Sequence, residues 1–269
     1  MYAVGFPGIV TKFHLKVIPY PKHGFRSSGY VYPKSLYKEA FAWVHRITPE
    51  VDQDTEVTVV AHHHEELDDT CLSIYFNCMK TSFEEARAAL RPIHEGRPSG
   101  TLAEWECQED SLAELYMKQA KANQKGRRYH TDSAYVHNDA NVVDVLEEAF
   151  LTHPSRNTFA FWSAMYPWSR RELPDMALSM RSDNYFALYT SWEDERDDDR
   201  CQSWLRQVMK KVKSHSVGSY LGDSDLQKPN APFWGNENAR RLMRVCQEWD
   251  PNGRMCRYQI DSADLETRN

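Results

Sequence analysis

Residues 55–79, TEVTVVAHHHEELDDTCLSIYFNCM, decide the fold class. The runs at 55–62 and 71–79 are rich in Val, Thr, Ile, Tyr and Phe, the residue types that strands favour. Polar and acidic residues at 63–69 separate the two runs, and a polar turn between such runs is typical of a hairpin. The stretch therefore predicts two antiparallel strands.

On both sides of this hairpin, hydrophobic periodicity predicts further strands and helices. Residues 9–18 alternate between apolar and polar side chains, as in a half-buried strand, and Pro19 and Pro21 end the run. Ser82 and Glu85 have the spacing of a capping box that begins a helix. The other predicted strands cover 129–136, 157–165, 176–181 and 184–192, the last two as a hairpin, and the predicted helices cover 33–46, 81–90, 112–123, 142–151, 199–212 and 237–249.

Strands in antiparallel runs, with helices between the runs, predict an α+β fold. We expect a single large antiparallel sheet of about six or seven strands, with helices packed on one face. No linker, low-complexity segment or internal repeat divides the sequence, so we expect one domain, residues 1–269.

Composition and charge exclude several classes of protein. The 269 residues are 41% hydrophobic and carry a net charge of −6, with acidic and basic residues mixed along the chain. Nucleic acids and anionic membrane surfaces bind clustered basic surfaces, so we expect neither as a partner. No apolar run approaches the roughly 20 residues of a membrane span, and the N-terminus lacks the pattern of a signal peptide.

The six cysteines indicate a reducing compartment. None of them forms a CxxC pair, and Cys201 and Cys246 fall on apolar faces of predicted helices. We interpret them as reduced thiols in a cytoplasmic protein, and disulfides are the alternative.

Two stretches resemble FAD-linked oxidases of the vanillyl-alcohol oxidase and berberine bridge enzyme type. Residues 5–21, GFPGIVTKFHLKVIPYP, are similar to the segment by which that family's chain leaves the flavin domain and enters the first strand of the substrate domain. Residues 216–226, SVGSYLGDSDL, followed by 233–253, are similar to the family's C-terminal motif, in which a Tyr-x-Asn stretch precedes a helix and an Asp-Pro loop. Residues 128–136 and 173–198 also resemble inner segments, so the resemblance covers nearly the whole chain.

The resemblance implies that residues 1–269 are the substrate-binding domain of such an oxidase, with the berberine-bridge-like motif at about 217–256. In the family the flavin domain lies upstream, wraps the diphosphate and in many members carries the His and Cys that bond covalently to the flavin. Gly5 and Gly8 match only the last edge of that cradle. We therefore expect no cofactor for the chain alone, and FAD only where a partner supplies the binding domain.

The resemblance also implies catalytic residues. Tyr220 matches the motif tyrosine that in some members lies over the flavin ring and acts as a base, although Gly222 stands where the family has Asn. Because a phenol has a reference pKa of about 10, that role requires a neighbouring cation or dipole, and a packing role is the alternative. Asp132 and Tyr135 match residues near the substrate and are a candidate pair for acid–base chemistry, with a surface position as the alternative for Asp132.

Rings and polar side chains on the predicted strands indicate a ligand-binding face. Where helices cover one face of the sheet, the flavin domain and the substrate cover the other in the family. Rings with polar tips suit a flat aromatic or polyketide-like ligand, and packing against a second subunit, which makes a homodimer, is the alternative. The predicted substrate-binding residues are Tyr75, Asn77, Trp162, Tyr166 and Tyr189.

A histidine-rich turn raises the question of a metal. His62, His64 and Glu66 have a spacing that three-ligand sites use, and a polar turn is the alternative. Because no ligand from another segment is identifiable, we expect no metal site.

Three functions are compatible with these observations. The first is an FAD-linked oxidoreductase-like protein of small-molecule or natural-product metabolism, truncated to its substrate domain, which would need a separate flavin-domain partner. The second is a cofactor-free cyclase or isomerase that uses the aromatic pocket. The third is a non-catalytic ligand-binding or assembly protein.

Overall fold

One antiparallel sheet forms the centre of the molecule. The computed structural model describes residues 9–17, 19–21, 25–122, 124–224 and 232–255. The sheet has eight strands, and every neighbouring pair is antiparallel. The strands are β1 (Phe25–Pro33), β2 (Thr55–His64), β3 (Asp69–Cys78), β4 (Ala103–Asp110), β5 (Arg128–Val136), β6 (Phe159–Ala164), β7 (Asn184–Trp192) and β8 (Ser216–Gly218), in the spatial order β4-β1-β3-β2-β6-β7-β5-β8.

Helices cover one face of this sheet. The α-helices of the described residues are α1 (Tyr37–Ile47), α2 (Phe83–Glu95), α3 (Leu112–Ala122), α4 (Val142–Leu151), α5 (Asp198–Lys213) and α6 (Asn236–Trp249). Buried side chains of α1, α2, α4 and α5 form one continuous core with the sheet. The predicted fold class, α+β with one antiparallel sheet and helices on a face, is therefore confirmed, with eight strands rather than six or seven.

The hairpin of β2 and β3 supplies the middle of the core. Val57 and Val59 on β2 and Ile74 and Phe76 on β3 are buried against the helices. Their alternation follows from the strand itself, since successive side chains fall on opposite faces. The capping box predicted for α2 is present, because Ser82 accepts from the Glu85 amide and Glu85 reaches back to the Ser82 amide.

Trp162 does not lie on the face predicted to bind the ligand. Its partners across β6 are Val59 on β2 and Phe186 on β7, both in the core beneath the helices. The ring meets Phe41 of α1 edge-on at a centroid distance of 5.3 Å, and 1% of the residue is exposed. The prediction that Trp162 shares a face with the ligand-binding tyrosines is wrong, because the pleat of β6 turns it toward the helices.

Two predicted strands are absent. Residues 9–17 are predicted to be the first strand, but they lie outside the sheet, so this prediction is wrong. Ile18, the last residue of the predicted strand, lies outside the described residues. Residues 176–181 do not pair with β7 either. The Met176 carbonyl accepts from Asn238 and the Ser179 hydroxyl accepts from the Gly235 amide, so this segment is bonded to the start of α6 instead.

Three of the eight strands are not predicted by the sequence, each for a local reason. β4 lies at the edge of the sheet, and its acidic residues give no apolar alternation. β8 is three residues long. β1 contains Ser27, Ser28 and Gly29, which depart from strand composition. The glycine is required, because a Cβ atom there would lie 2.0 Å from the Trp105 ring that crosses it.

The cysteines of the described residues are free thiols. Cys71, Cys78, Cys107 and Cys201 are buried thiols, and Cys256 lies outside the described residues. Within the part of the chain that the structure describes, no helix is long and apolar enough to cross a membrane.

A histidine at the end of α4 makes stability depend on pH. Nε2 of His153 donates to the Ala149 carbonyl, the ring packs against Trp204, and burial lowers the pKa of His153 to about 4. In the unfolded chain His153 has its reference pKa of about 6.5. Between pH 4 and pH 6.5 it therefore binds a proton there that it does not bind in the folded chain. Acidification from pH 6.5 to 4 is therefore expected to remove about 3 kcal/mol of stability through this residue.

Urea unfolding at several pH values measures this effect. In His153→Phe the loss of stability on acidification is expected to shrink by about that amount. An equal pH dependence in the wild type and in His153→Phe would contradict the assignment.

Candidate functional site on the open face of the sheet

The face of the sheet opposite α1, α2, α4 and α5, called the open face below, carries one row of side chains across five strands. The strand register places Tyr75 opposite Thr58, Thr58 opposite Ser163, Ser163 opposite Tyr185, and Tyr185 opposite Tyr135. With strands about 4.8 Å apart, Tyr75 and Tyr185 are separated by about 14 Å. The row therefore has aromatic ends and small hydroxyl side chains between them.

The end on β5 and β7 forms a tyrosine cluster, defined as Tyr135, Tyr185, Tyr220 and Asp223. The Tyr185 ring lies 5.3 Å from the Tyr135 ring and meets the Tyr220 ring almost perpendicularly at 6.0 Å. The Tyr185 hydroxyl donates to Oδ2 of Asp223 at 2.5 Å. Offset and edge-on ring pairs at these distances are favourable packing. A carboxylate is thus held at the edge of three phenol rings.

Electrostatics assign different roles to these groups. Burial, followed by the Asp223 charge, raises the pKa of Tyr185 far above its usual value and that of Tyr135 to about 12. Both phenols therefore stay protonated at neutral pH, and Tyr185 acts as a hydrogen-bond donor. The carboxylate of Asp223, which accepts the Tyr185 proton in a hydrogen bond, is the group in the cluster suited to receive a proton.

A buried serine holds the loop that carries Tyr220 and Asp223. Ser133 Oγ accepts from the Tyr220 amide, and its own carbonyl accepts from the Ser219 hydroxyl. One short helical turn, Leu221–Asp223, then brings Asp223 to the hydroxyl group of Tyr185. Gly222 is required within this turn, because a Cβ atom there would lie 2.7 Å from the Tyr220 ring. The residue that departs from the family pattern is therefore the one that lets the turn close.

The predicted pair of Asp132 and Tyr135 is separated by the sheet. Tyr135 lies on the open face within the tyrosine cluster, as the sequence predicts for a residue near a ligand. Asp132 points to the helix side, where Lys213 of α5 donates to Oδ2 at 2.6 Å and the Ser133 amide donates to Oδ1. The prediction that Asp132 works beside Tyr135 is wrong, because three positions along a strand reverse the face.

The other end of the row is a second aromatic area. The Tyr75 ring lies 5.8 Å from the Trp105 ring of β4, and Trp105 Nε1 donates to the Ser27 hydroxyl. Asn77 is on the same face and donates to Glu56 at 3.1 Å. Tyr75 and Asn77 are therefore on the open face as predicted, but about three strands from the tyrosine cluster.

The two remaining predicted ligand residues differ in position. Tyr189 packs against the tyrosine cluster and stacks on Phe159 at 4.6 Å. Tyr166 lies beyond the end of β6 in the loop before β7, with the Arg170 guanidinium 5.3 Å from its ring centroid. Its role as a ligand residue stays a prediction.

The histidine-rich turn is occupied by contacts within the sheet. His62 Nε2 lies 2.8 Å from the Ser73 hydroxyl, and its Nδ1 donates to the His63 carbonyl. No group of three or more His, Cys, Asp or Glu side chains close enough to hold a metal ion occurs among the residues that the structure describes.

The described residues do not fit the diphosphate of FAD. A flavin diphosphate requires a cluster of backbone N–H groups, as at a glycine-rich loop that opens a helix. No such loop is found in the ranges given above; at the start of α6, the Gly235 amide is already bonded to Ser179. The predicted cofactor-binding residues Gly5 and Gly8 lie outside the described residues.

Two members of the cluster, Tyr185 and Asp223, are not among the predicted site residues. Tyr185 shares its face with Tyr189, and that alternation was the available signal. Asp223 gave no local signal, because it reaches Tyr185 from 38 residues away in the chain. Only the pairing of β5 with β7 and β8 brings them together.

Curated proteins similar to this chain in sequence are FAD-linked oxidoreductases. No protein-family model matches the chain. The chain is 28% identical over 250 residues to the FAD-linked oxidoreductase ptmO of Penicillium ochrochloron, covering 93% of this chain and 55% of that protein. It is 29% identical over 252 residues to the FAD-linked oxidoreductase nodO of Hypoxylon pulicicidum, covering 93% and 56%. The chain thus spans about half the length of the curated relatives it matches.

Solved structures share the fold at low sequence identity. Berberine bridge enzyme from Eschscholzia californica superimposes with a TM-score of 0.64 at 12% identity, over 87% of this chain and 54% of that one. GilR, an oxidoreductase of gilvocarcin biosynthesis solved with pregilvocarcin, gives 0.62 at 17% identity, over 87% and 55%. The resemblance drawn from the sequence motifs is confirmed: the chain is similar along nearly its whole length to FAD-linked oxidoreductases and has the fold of the corresponding half of berberine bridge enzyme-like proteins.

Proposed function

We propose that this chain is the substrate-side half of an FAD-linked oxidoreductase that acts on a flat aromatic small molecule, with the flavin held by a partner domain or chain. The observation that carries the proposal is the tyrosine cluster on the face that α1, α2, α4 and α5 leave uncovered. The similarity to proteins named FAD-linked oxidoreductases supports the reaction class.

The positions and protonation states of the side chains in the tyrosine cluster support this role. The half-buried ring of Tyr220 provides apolar surface for a planar ligand, with the buried rings of Tyr135 and Tyr185 behind it, and its hydroxyl group favours an aromatic that carries polar substituents. Tyr185 orients Asp223 by donating to one of its carboxylate oxygens. Asp223 then accepts a hydrogen bond or a proton from a hydroxyl or N–H group of the ligand. A flavin, where bound, supplies hydride acceptance, and the residues of this chain bind, orient and deprotonate.

A ligand-binding experiment tests the role of Asp223. The probe is β-naphthol, a flat ring system with one hydroxyl group, titrated by calorimetry. Asp223→Asn is expected to weaken binding about tenfold, because a hydrogen bond to a charged acceptor contributes roughly 1.5–3 kcal/mol and the amide retains part of it. Naphthalene, which lacks the donor, is expected to bind equally to both proteins.

The matched control lies outside the cluster. Tyr116 of α3 is 67% exposed, and Tyr116→Phe is expected to leave the affinity for β-naphthol unchanged. Equal affinity of wild type and Asp223→Asn for β-naphthol would refute the assignment of the carboxylate.

The cofactor-free cyclase or isomerase is the second candidate, because Asp223, oriented by the Tyr185 hydroxyl, can accept a proton from a ligand without a flavin. Adding FAD to the purified chain separates the two. Turnover of an aromatic substrate without FAD favours the cofactor-free reaction, and turnover that requires FAD and a flavin-binding partner favours the oxidoreductase. Binding of β-naphthol by a protein with neither activity favours a ligand-binding role.

A further inference from the structure

The second aromatic area of the open face, defined as Tyr75 and Trp105, has no ligand assigned to it by the proposed function. The two rings lie 5.8 Å apart, and both residues are half-buried. Trp105 is fixed in place, because its Nε1 donates to the Ser27 hydroxyl and its ring crosses β1 at Gly29. The Tyr75 hydroxyl has no hydrogen-bond partner among the described residues. A fixed ring beside an available phenol group is suited to bind another ring that carries a polar substituent.

Two hydroxyl side chains lie between this area and the tyrosine cluster. Ser163 on β6 and Thr58 on β2 occupy the row between Tyr185 and Tyr75. Neither hydroxyl is bonded to another residue in the described part of the chain, and neither is enclosed, so water reaches both. A ligand that displaces this water must bond the hydroxyl groups itself, because a buried donor without a partner costs free energy.

Larger side chains stand beside these two hydroxyl residues. Because side chains on one face are two positions apart along a strand, Phe161 flanks Ser163 and Val60 flanks Thr58. The Phe161 ring also meets the Tyr185 ring at 6.4 Å, which joins it to the tyrosine cluster. Ser163 and Thr58 therefore form the floor of a shallow groove that has rings at both ends.

The groove sets the length and the polarity of its occupant. Its ends are about 14 Å apart, Asp223 lies at one end, and the two hydroxyl groups lie between the ends. We propose that the ligand is an elongated molecule with a ring system at each end and an oxygen acceptor between them, and that the second aromatic area binds the end remote from Asp223. This inference rests on the proposed function of the tyrosine cluster and adds to it the class of ligand and the residues that select it.

Selection by length follows from the geometry. A short aromatic such as β-naphthol reaches one end of the groove, so the tyrosine cluster alone binds it. A long ligand gains the second ring contact without a second loss of translational and rotational freedom, because both rings belong to one molecule. Tyr75 and Trp105 therefore contribute to the affinity of long ligands and not to that of short ones.

Calorimetric titration with two probes tests the proposal. The long probe is bisdemethoxycurcumin, in which a conjugated diketone joins two phenol rings, and the short probe is β-naphthol. Tyr75→Ala is expected to weaken binding of the long probe about tenfold and to leave the affinity for β-naphthol unchanged. The matched control is Tyr116→Ala, which removes an exposed tyrosine of α3 and is expected to change neither affinity.

Variants at Thr58 test the middle of the groove. Thr58→Phe keeps a residue type that strands favour and places a ring on the floor, so it is expected to exclude the long probe while β-naphthol still binds. Thr58→Val removes only the hydroxyl and is expected to weaken the long probe severalfold, because one donor to the diketone is lost. Equal urea midpoints of the wild type and these variants show that the fold is intact.

Three results would overturn the proposal. Unchanged affinity of Tyr75→Ala or Thr58→Phe for bisdemethoxycurcumin would show that the long probe does not follow the groove. Equal weakening of both probes by Tyr75→Ala would show that the two areas are not separate contacts. A dimer of the chain that Tyr75→Ala dissociates would show that a second copy covers this area.

Failure of the proposed function is a distinguishable result. If Asp223→Asn leaves the affinity for β-naphthol unchanged while Tyr75→Ala and Thr58→Phe still weaken binding of bisdemethoxycurcumin, the assignment of the carboxylate is refuted and the elongated ligand is retained. If Asp223→Asn weakens both probes and Tyr75→Ala weakens neither, the tyrosine cluster is retained and the second aromatic area is excluded from the site.

Discussion

Lys213→Met is expected to lower the free energy of unfolding by about 3–5 kcal/mol. Lys213 Nζ donates to Asp132 Oδ2 at 2.6 Å, and the two side chains are 10% and 7% exposed. Removing the ammonium leaves a carboxylate between α5 and β5 whose charge water cannot solvate. The large effect comes from this uncompensated charge and not from the strength of the ion pair.

A double variant separates these two causes. Asp132→Asn combined with Lys213→Met removes both charges, while the amide oxygen can still accept from the Ser133 amide. Most of the lost stability is expected to return, because a buried ion pair contributes little once neither charge remains. Urea denaturation measures both proteins. A double variant as unstable as Lys213→Met alone would contradict this account.

Trp162→Ala is expected to cost about 3–5 kcal/mol, the range for truncating a buried aromatic side chain. The ring is packed between Phe41 of α1 and the core residues of β2 and β7, and its Nε1 donates to Asn184 at 3.3 Å. The neighbours are held by the sheet and by α1, so they cannot fill the cavity. A ligand-binding role, which the sequence predicts, would give instead a loss of affinity with little loss of stability.

Trp249→Ala is the matched control for this experiment. Trp249 at the end of α6 is 71% exposed, so the same change is expected to stay within about 0.5 kcal/mol. Thermal or urea unfolding of the two variants, together with titration of β-naphthol, distinguishes core from ligand site. A stable Trp162→Ala that binds the ligand weakly would return Trp162 to the open face.

The confirmed predictions rest on residues close together in the sequence, whereas the failed ones depend on strands that are far apart in it. α2 is marked locally, because Ser82 and Glu85 lie within one turn of each other. The β2–β3 hairpin is also local, since its two runs are separated only by a short turn. Asp132 was taken from the family resemblance and Trp162 was grouped with the tyrosines of other strands. Neither source determines which face of the sheet a side chain occupies, because strand register decides it.

The prediction of a strand at residues 9–17 failed for a different reason. Their alternation predicts a strand, and alternation reports only that one side of an extended chain is apolar. It contains no information on which sheet accepts the strand. In this structure the segment is outside the sheet, and its large apolar side chains are exposed.

The amino-acid sequence by itself determined the α+β class, the hairpin at the centre of the sheet and the positions of the helices, because these depend on periodicity and capping within a few residues. The tertiary structure alone decided which strands are neighbours, that Tyr185 meets Asp223, and that Asp132 is paired with Lys213 beneath the helices. The physical reason is that strand order and register join residues far apart in the chain, and no local pattern records which of them will share a face.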